Sequence, residues 1–263
     1  HRDLHSFPTR RSSDLSRRDG LWIFYSITNQ EDGKKFVEAI AYLLESEAIF
    51  SQDLKKCRKT LDERVRATAK FFDSIAEDWE KMKQEMMGEF DLIEKIVDRL
   101  GKCNVAVDLG CGTGDLLCAL LGKADLVIGV DNSPKMLEKA RTRLARFHEK
   151  IDLRIGEMKH LPLKDGEADL AIVNMVLHHL TSPLDALKEA FRVLKKRGRF
   201  ILADFEKHQE SRMQTRYGDR WLGFTVSEVS SWLNQSGFKV KKVVQFPVKR
   251  NLKINVYDAF KTN

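Results

Sequence analysis

Residues 104–115 read NVAVDLGCGTGD, and no other stretch limits the fold of this chain as tightly. An apolar run ending in Asp108 meets glycine at 110, 112 and 114. That pattern describes a strand entering a tight loop with exposed amides and a helix behind it. Gly110, Gly112 and Gly114 can take positive φ and carry no Cβ, so a ligand can approach the backbone closely. The helix expected over about 115–121 points its N-terminus at the same place. A nucleotide-type pocket follows. The dinucleotide fingerprint would require a third glycine where Asp115 stands, and an acid there would face a pyrophosphate badly. No Gly-Lys-Ser/Thr follows the loop, which excludes the phosphate loop of nucleoside triphosphatases.

The run Val107, Asp108, Leu109, Gly110, Cys111, Gly112, Thr113, Gly114 resembles the first motif of the class I S-adenosylmethionine-dependent methyltransferases, whose cofactor has no phosphate. The resemblance implies an α/β fold, a Rossmann-like sheet of seven strands with helices on both faces. It also implies S-adenosylmethionine as cofactor, held by Asp108, Gly110, Cys111, Gly112, Gly114, Asp131, Asn132, Met136, Glu157, Met158, Asn174 and Trp79. Residues 126–130 form a short buried strand closed by Asp131, about 20 positions beyond Gly110, where such folds place a carboxylate on a ribose. A plain turn acid before a helix is the competing account. Ser133 and Pro134 then read as N-cap and first position of that helix. After a strand at 151–155, the resemblance sets Glu157 near the adenine amino group and the Met158 amide against the ring.

Residues 168–174 are near-continuously apolar, as expected of a parallel strand covered on both faces. His178 and His179 follow it, and imidazoles suit a proton acceptor beside a methyl acceptor, although a structural role at the turn fits equally well. A helix over 183–194 leads to Lys195, Lys196, Arg197 and Gly198, where Gly198 is expected to carry the bend into a strand at 199–205. Asp204 and His208 leave that strand at the edge where open α/β sheets bind ligands. The polar stretch 210–224, with Tyr217, Trp221 and Phe224 embedded, is expected to close an acceptor pocket. Candidate catalytic groups are therefore His178, His179, Asp204, His208 and Tyr217. Thr225 to Glu228 is a capping box, Gly237 ends the helix it starts, and strands at 238–246 and 252–261 finish the sheet.

The N-terminal third reads differently. Residues 1–15 lack periodicity and resemble translated adapter sequence, so they are set aside as non-native. Residues 16–50 resemble the wing and last helix of an ArsR-type winged-helix repressor: Asp19 and Gly20 make a hairpin turn whose partner strand would lie upstream. A helix over 33–47 carries an apolar stripe of Phe36, Ile40, Leu43 and Leu44 suited to a homodimer. A simple N-terminal hairpin of the enzyme is the alternative. Residues 51–99 read as a long charged linker helix, and the stretch from Phe71 to Glu80 is similar to the cofactor lid of quinone-biosynthesis methyltransferases, although core packing explains each aromatic as well. Residues 100–263 form the methyltransferase domain, and the whole is similar to an ArsR-type regulator fused to a methyltransferase.

What remains is bounded by composition. A net charge of +7 reads as a solvated basic surface rather than a nucleic-acid footprint. Cys57, Cys103, Cys111 and Cys118 show no paired spacing and suggest free thiols in a cytoplasm, with no membrane partner. His160, His178, His179 and His208 lack ligand spacing, so no metal is expected. Arsenic methylation would need converging thiolates, and no cysteine follows Cys118. Two functions are left: methyl transfer to a small-molecule acceptor, or a transcription regulator that uses the domain as a sensor, with DNA bound only by a longer parent that supplies the groove-reading helix.

Overall fold

The computed structural model describes residues 16–19, 22–25, 35, 39–40 and 48–262. They divide between a unit within His1–Asp62 and a unit within Glu63–Asn263. In the first, β1 (Ser16–Asp19) pairs antiparallel with β2 (Trp22–Tyr25), with Arg17 opposite Phe24. The partner strand is thus residues 16–19 themselves, not the segment before them. The segment 1–15 and most of the expected helix over 33–47, with Phe36, Leu43 and Leu44, lie outside the described residues. Ile40 is described and is exposed. α1 (Ala48–Ile75) starts in this unit and continues into the second.

The second unit is built on a seven-stranded sheet of order β5-β4-β3-β6-β7-β9-β8. Its strands are β3 (Cys103–Leu109), β4 (Ala124–Asp131), β5 (Ile151–Ile155), β6 (Ala168–Asn174), β7 (Leu194–Phe205), β8 (Phe238–Pro247) and β9 (Lys253–Lys261). β3 to β7 are parallel and β9 runs antiparallel to both its neighbours. Along the central strands successive side chains enter opposite cores, as the two-residue period of a strand requires. Ala106 and Ile172 join one core, and Val107, Ala171 and Val173 the other. Helices cover both faces, so β3, β4 and β6 read as unbroken apolar runs. These helices are α2 (Trp79–Met87), α3 (Leu92–Val97), α4 (Asp115–Leu120), α5 (Pro134–Leu144), α6 (Pro183–Val193), α7 (Arg212–Tyr217) and α8 (Val226–Gln235).

The caps read from sequence are formed. Ser133 Oγ accepts from the Met136 amide, and Thr225 and Glu228 close a reciprocal capping box. Two expectations are corrected. The linker is not one helix: Gly88, at φ 67, closes α2, and Asp91 caps α3 by accepting from the Glu94 amide at 2.9 Å. The bend falls within β7, which begins at Leu194 rather than Arg199, and is carried by Arg197, at φ 62, rather than by Gly198. A Cβ on Gly198 would lie 2.8 Å from the Lys195 carbonyl oxygen, so the glycine serves close approach while its neighbour takes the left-handed backbone. Pairing of β6 with β7 skips from Leu194 to Arg199 across this excursion. β8 is an edge strand with Lys239, Lys241 and Lys242 exposed or half-exposed along it. Among the described residues no helix is long and apolar enough to cross a membrane.

Candidate active site

β4 lies on one side of β3 and β6 on the other, so the chain switches direction across the sheet at β3. Open α/β sheets bind ligands beyond the carboxyl ends of the strands at such a point. A cavity of about 1050 Å³ opens there. Its floor is the glycine loop. Gly110 stands at φ 84, with its amide and that of Cys111 donating to the Val130 carbonyl oxygen at 2.8 and 3.0 Å. A Cβ on Gly110 would meet Val176 Cγ2 at 2.4 Å, so this residue fixes how closely the loop approaches the turn after β6. Gly112, at φ 50, faces open space. Cys111 lines the cavity as a buried thiol whose pKa burial pushes well above its ordinary value, which makes it a packing group rather than a nucleophile.

Two carboxyl groups from adjacent strand ends share this floor. Asp131 accepts from the Gly112 amide through Oδ2 at 2.8 Å and from the Ser133 amide through Oδ1 at 2.9 Å. Burial raises its pKa, while the Ser133, Gly112 and Asn132 amides favour the charged form. Asp108 is fully buried and its Oδ1 has no hydrogen-bond partner. Burial first, and the charge of Asp131 second, push its carboxyl up to about 8. Asp108 therefore keeps its proton at neutral pH, and Asp131 is the one of the two whose charged form the backbone amides support. Asn174 Oδ1 is likewise buried without a partner, just before Met175 at φ 59.

The end of α1 and the start of α2 form one wall. Phe72 packs edge-on against Trp79 and His179, with ring centroids 5.6 and 4.9 Å apart. Asp73 Oδ1 accepts from Ser133 Oγ at 2.6 Å and from the Lys135 amide at 3.2 Å, tying this wall to the turn that carries Asp131. Glu80 accepts from Thr113 Oγ1 at 2.8 Å and pairs with Lys83 and Arg143, both at 2.9 Å. Burial opposes its charge, yet the donors from Lys83, Thr113 and Arg143 hold its carboxyl down at about 2. Asp115 takes the other side of the same two cations.

The far end is polar and buried. His178 and His179 sit in a short 3-10 turn after β6, and their backbone carbonyl oxygens hold the segment following α7. His178 Nδ1 lies 2.7 Å from Asp204 Oδ1, and its Nε2 lies 3.7 Å from Asp219 Oδ1. Burial disfavours the imidazolium, but Asp204 and Asp219 hold the proton on it up to about 9. Burial and the charge of His178 push His179 well below its ordinary pKa. Burial lifts the Asp219 carboxyl to about 6.

Of the residues singled out from sequence, Trp79, Asp108, Gly110, Cys111, Gly112, Asp131, Asn132, Met136, Glu157, Met158, Asn174, His178, His179 and Tyr217 line this one cavity. Gly114, Asp204 and His208 do not line it. Gly114 faces α5, where a Cβ would come within 2.9 Å of Leu144. Asp204 acts behind His178. His208 packs on Phe205 with its Nδ1 accepting from the Glu210 amide. Sequence reasoning did not single out Lys83, Met175 or Asp219, although Gly218, a left-handed C-cap after α7, marked where Asp219 turns inward.

Residues 107–202 match the methyltransferase domain family. With the sheet order above, this segment has the class I methyltransferase fold, and the cofactor of that domain is S-adenosylmethionine. A solved S-adenosylmethionine-dependent methyltransferase from Aquifex aeolicus shares the fold, with TM-score 0.58 and 21% identity over 72% of this chain and 97% of that one. The demethylmenaquinone methyltransferase of Lactococcus lactis is 34% identical over 56% of this chain and 60% of its own. An arsenite methyltransferase of Halobacterium salinarum is 29% identical over 52% of this chain and 38% of its own. The chain thus spans less than two thirds of the length of these curated relatives.

Proposed function

We propose that the chain transfers a methyl group from S-adenosylmethionine to a small-molecule acceptor. The observation that carries this reading is Asp108: a buried, unpartnered carboxyl oxygen on the floor of a large cavity, beside Asp131. A cationic ligand resolves that cost, because it supplies the counter-charge burial withholds. S-adenosylmethionine carries an ammonium and a sulfonium, and the residues fit it. Asp131 would hold the ribose, Glu157 and Met158 the adenine, and Gly110, Gly112 and Asp108 the amino-acid end. Gly114 shapes the loop from behind. Trp79 and Phe72 exclude water as a lid. When bound, the cofactor supplies an activated methyl group; the chain has to align an acceptor with it and keep the site dry.

The acceptor would lie against Phe72, His178, His179 and Tyr217. The names of the quinone-pathway relatives make a reduced naphthoquinone the first compound to assay. Calorimetry with S-adenosylhomocysteine is the direct test of the cofactor site: one molecule should bind per chain, and Asp131→Ala should weaken it at least tenfold. Absence of binding to the wild-type chain would overturn the reading. The regulator reading keeps one observation, the β1–β2 hairpin. A sequence-selective mobility shift with this chain would favour that reading instead.

A further inference from the structure

At the acceptor end of the cavity, His178 and His179 converge with Asp219 from a distant part of the chain. One ligand atom of each lies within 4.8 Å of the others, and all three residues are buried. Several features set this cluster apart from ordinary core polar groups. His178 Nδ1 is occupied by Asp204 at 2.7 Å, which leaves Nε2 toward Asp219. The 3.7 Å between Nε2 and Asp219 Oδ1 is too long for a hydrogen bond. His179 Nδ1 lies 3.2 Å from the Gly218 carbonyl oxygen. The other carboxylate oxygen, Asp219 Oδ2, is buried with no hydrogen-bond partner, and the Asp219 side chain is 1% exposed.

Imidazoles that bind metals usually donate their second nitrogen to a carboxylate or a backbone carbonyl, which fixes ring and tautomer. Asp204 stands in that position for His178, while His179 turns its Nδ1 toward both the Gly218 carbonyl oxygen and Asp219 Oδ1, 3.9 Å away, so binding has to draw that nitrogen from the carbonyl to the ion. Ligand distances near 2.0–2.2 Å at open angles separate neighbouring donor atoms by roughly 3–3.5 Å, so a small shift would close this cluster around an ion. We propose that His178, His179 and Asp219 form a binding site for one divalent transition-metal ion, with its open coordination positions facing the cavity. Two nitrogens and a carboxylate select ions of the Zn²⁺, Co²⁺ or Fe²⁺ kind over Mg²⁺ or Ca²⁺, which prefer all-oxygen shells. Binding has to displace any proton held on His178 Nε2, so proton release accompanies it. Ligand spacing in the sequence pointed away from a metal because the carboxylate comes from beyond α7.

The inference does not depend on methyl transfer, and its test needs neither cofactor nor acceptor. The full chain, stripped with a chelator, is titrated with Co²⁺ by visible absorbance and with Zn²⁺ by calorimetry. We expect one equivalent of each ion, d–d bands of a low-symmetry nitrogen and oxygen site, and a loss of tenfold or more in affinity in Asp219→Asn and in His178→Ala. His148→Ala, at an exposed histidine, should bind as wild type does. Circular dichroism on each variant separates lost binding from lost folding, and if His178→Ala does not fold, the isosteric Asp219→Asn carries the comparison. No saturable signal from the wild-type chain up to millimolar metal, or equal affinity in a folded Asp219→Asn, overturns the site. S-adenosylhomocysteine binding to the metal-free chain tests the cofactor reading separately.

Discussion

Asp108 is where burial and function pull against each other. A carboxyl raised to about 8 keeps its proton in the folded chain across neutral pH, whereas the unfolded chain ionises it near 3.8. Between those values the native state binds the extra proton. The stabilisation from this group is complete at low pH and is lost as pH rises toward 8, by about 1.4 kcal/mol per pH unit. Asp108→Asn should abolish that slope and leave the ligand-free chain more stable than wild type above pH 8, measured by urea unfolding across the range. The same substitution should weaken S-adenosylhomocysteine binding. In the wild type, binding near neutral pH should release a proton, seen as a buffer-dependent calorimetric enthalpy. Burial acts on Cys111 in the same direction and at little cost, since its thiol is neutral at ordinary pH in any case.

At the scale of elements, the wall formed by α1 and α2 is held by polar contacts that join distant parts of the chain. Asp73 shares Ser133 with the cap of α5, and Glu80 shares Thr113 with the glycine loop. Asp73→Ala should leave the fold intact, because Ser133 still caps α5, and should raise the dissociation rate of S-adenosylhomocysteine several-fold in stopped-flow measurements. Contacts of this kind explain what could and could not be read in advance. The glycine loop, the Ser133 and Thr225 caps and the apolar strands β3, β4 and β6 are local patterns, each enforced by backbone geometry within a few residues. The long helix expected to reach Arg99 ends first at Ile75 and is interrupted again between Gly88 and Asp91, whose capping meanings were legible but outweighed by the charge pattern. Asp219 had no local signature: it becomes a site residue only because Arg220 and Trp221 donate to the His178 carbonyl oxygen and bring the segment under the turn. Arg197 likewise gave no sign of its left-handed backbone, since the glycine beside it offered the simpler assignment.

For the molecule as a whole, the cavity is shared by β3, β4, β6, the turn after β6 and the α1–α2 wall, so a ligand there ties several elements of the second unit together. Saturation at a hundredfold excess over the dissociation constant should stabilise it by about 2.7 kcal/mol. A domain of this size should then show a melting temperature higher by roughly 5–10 °C in scanning calorimetry with S-adenosylhomocysteine. The sheet also has two open margins, and they are not alike. Among the described residues no strand pairs with the outer margin of β8, whose row of backbone amides and carbonyls is a ready template for another chain. Its lysines make that margin self-repelling. Two copies brought together there would have to bury ammonium groups against one another, so the strand that completes the sheet also keeps crowded copies of the protein from joining into a continuous ribbon.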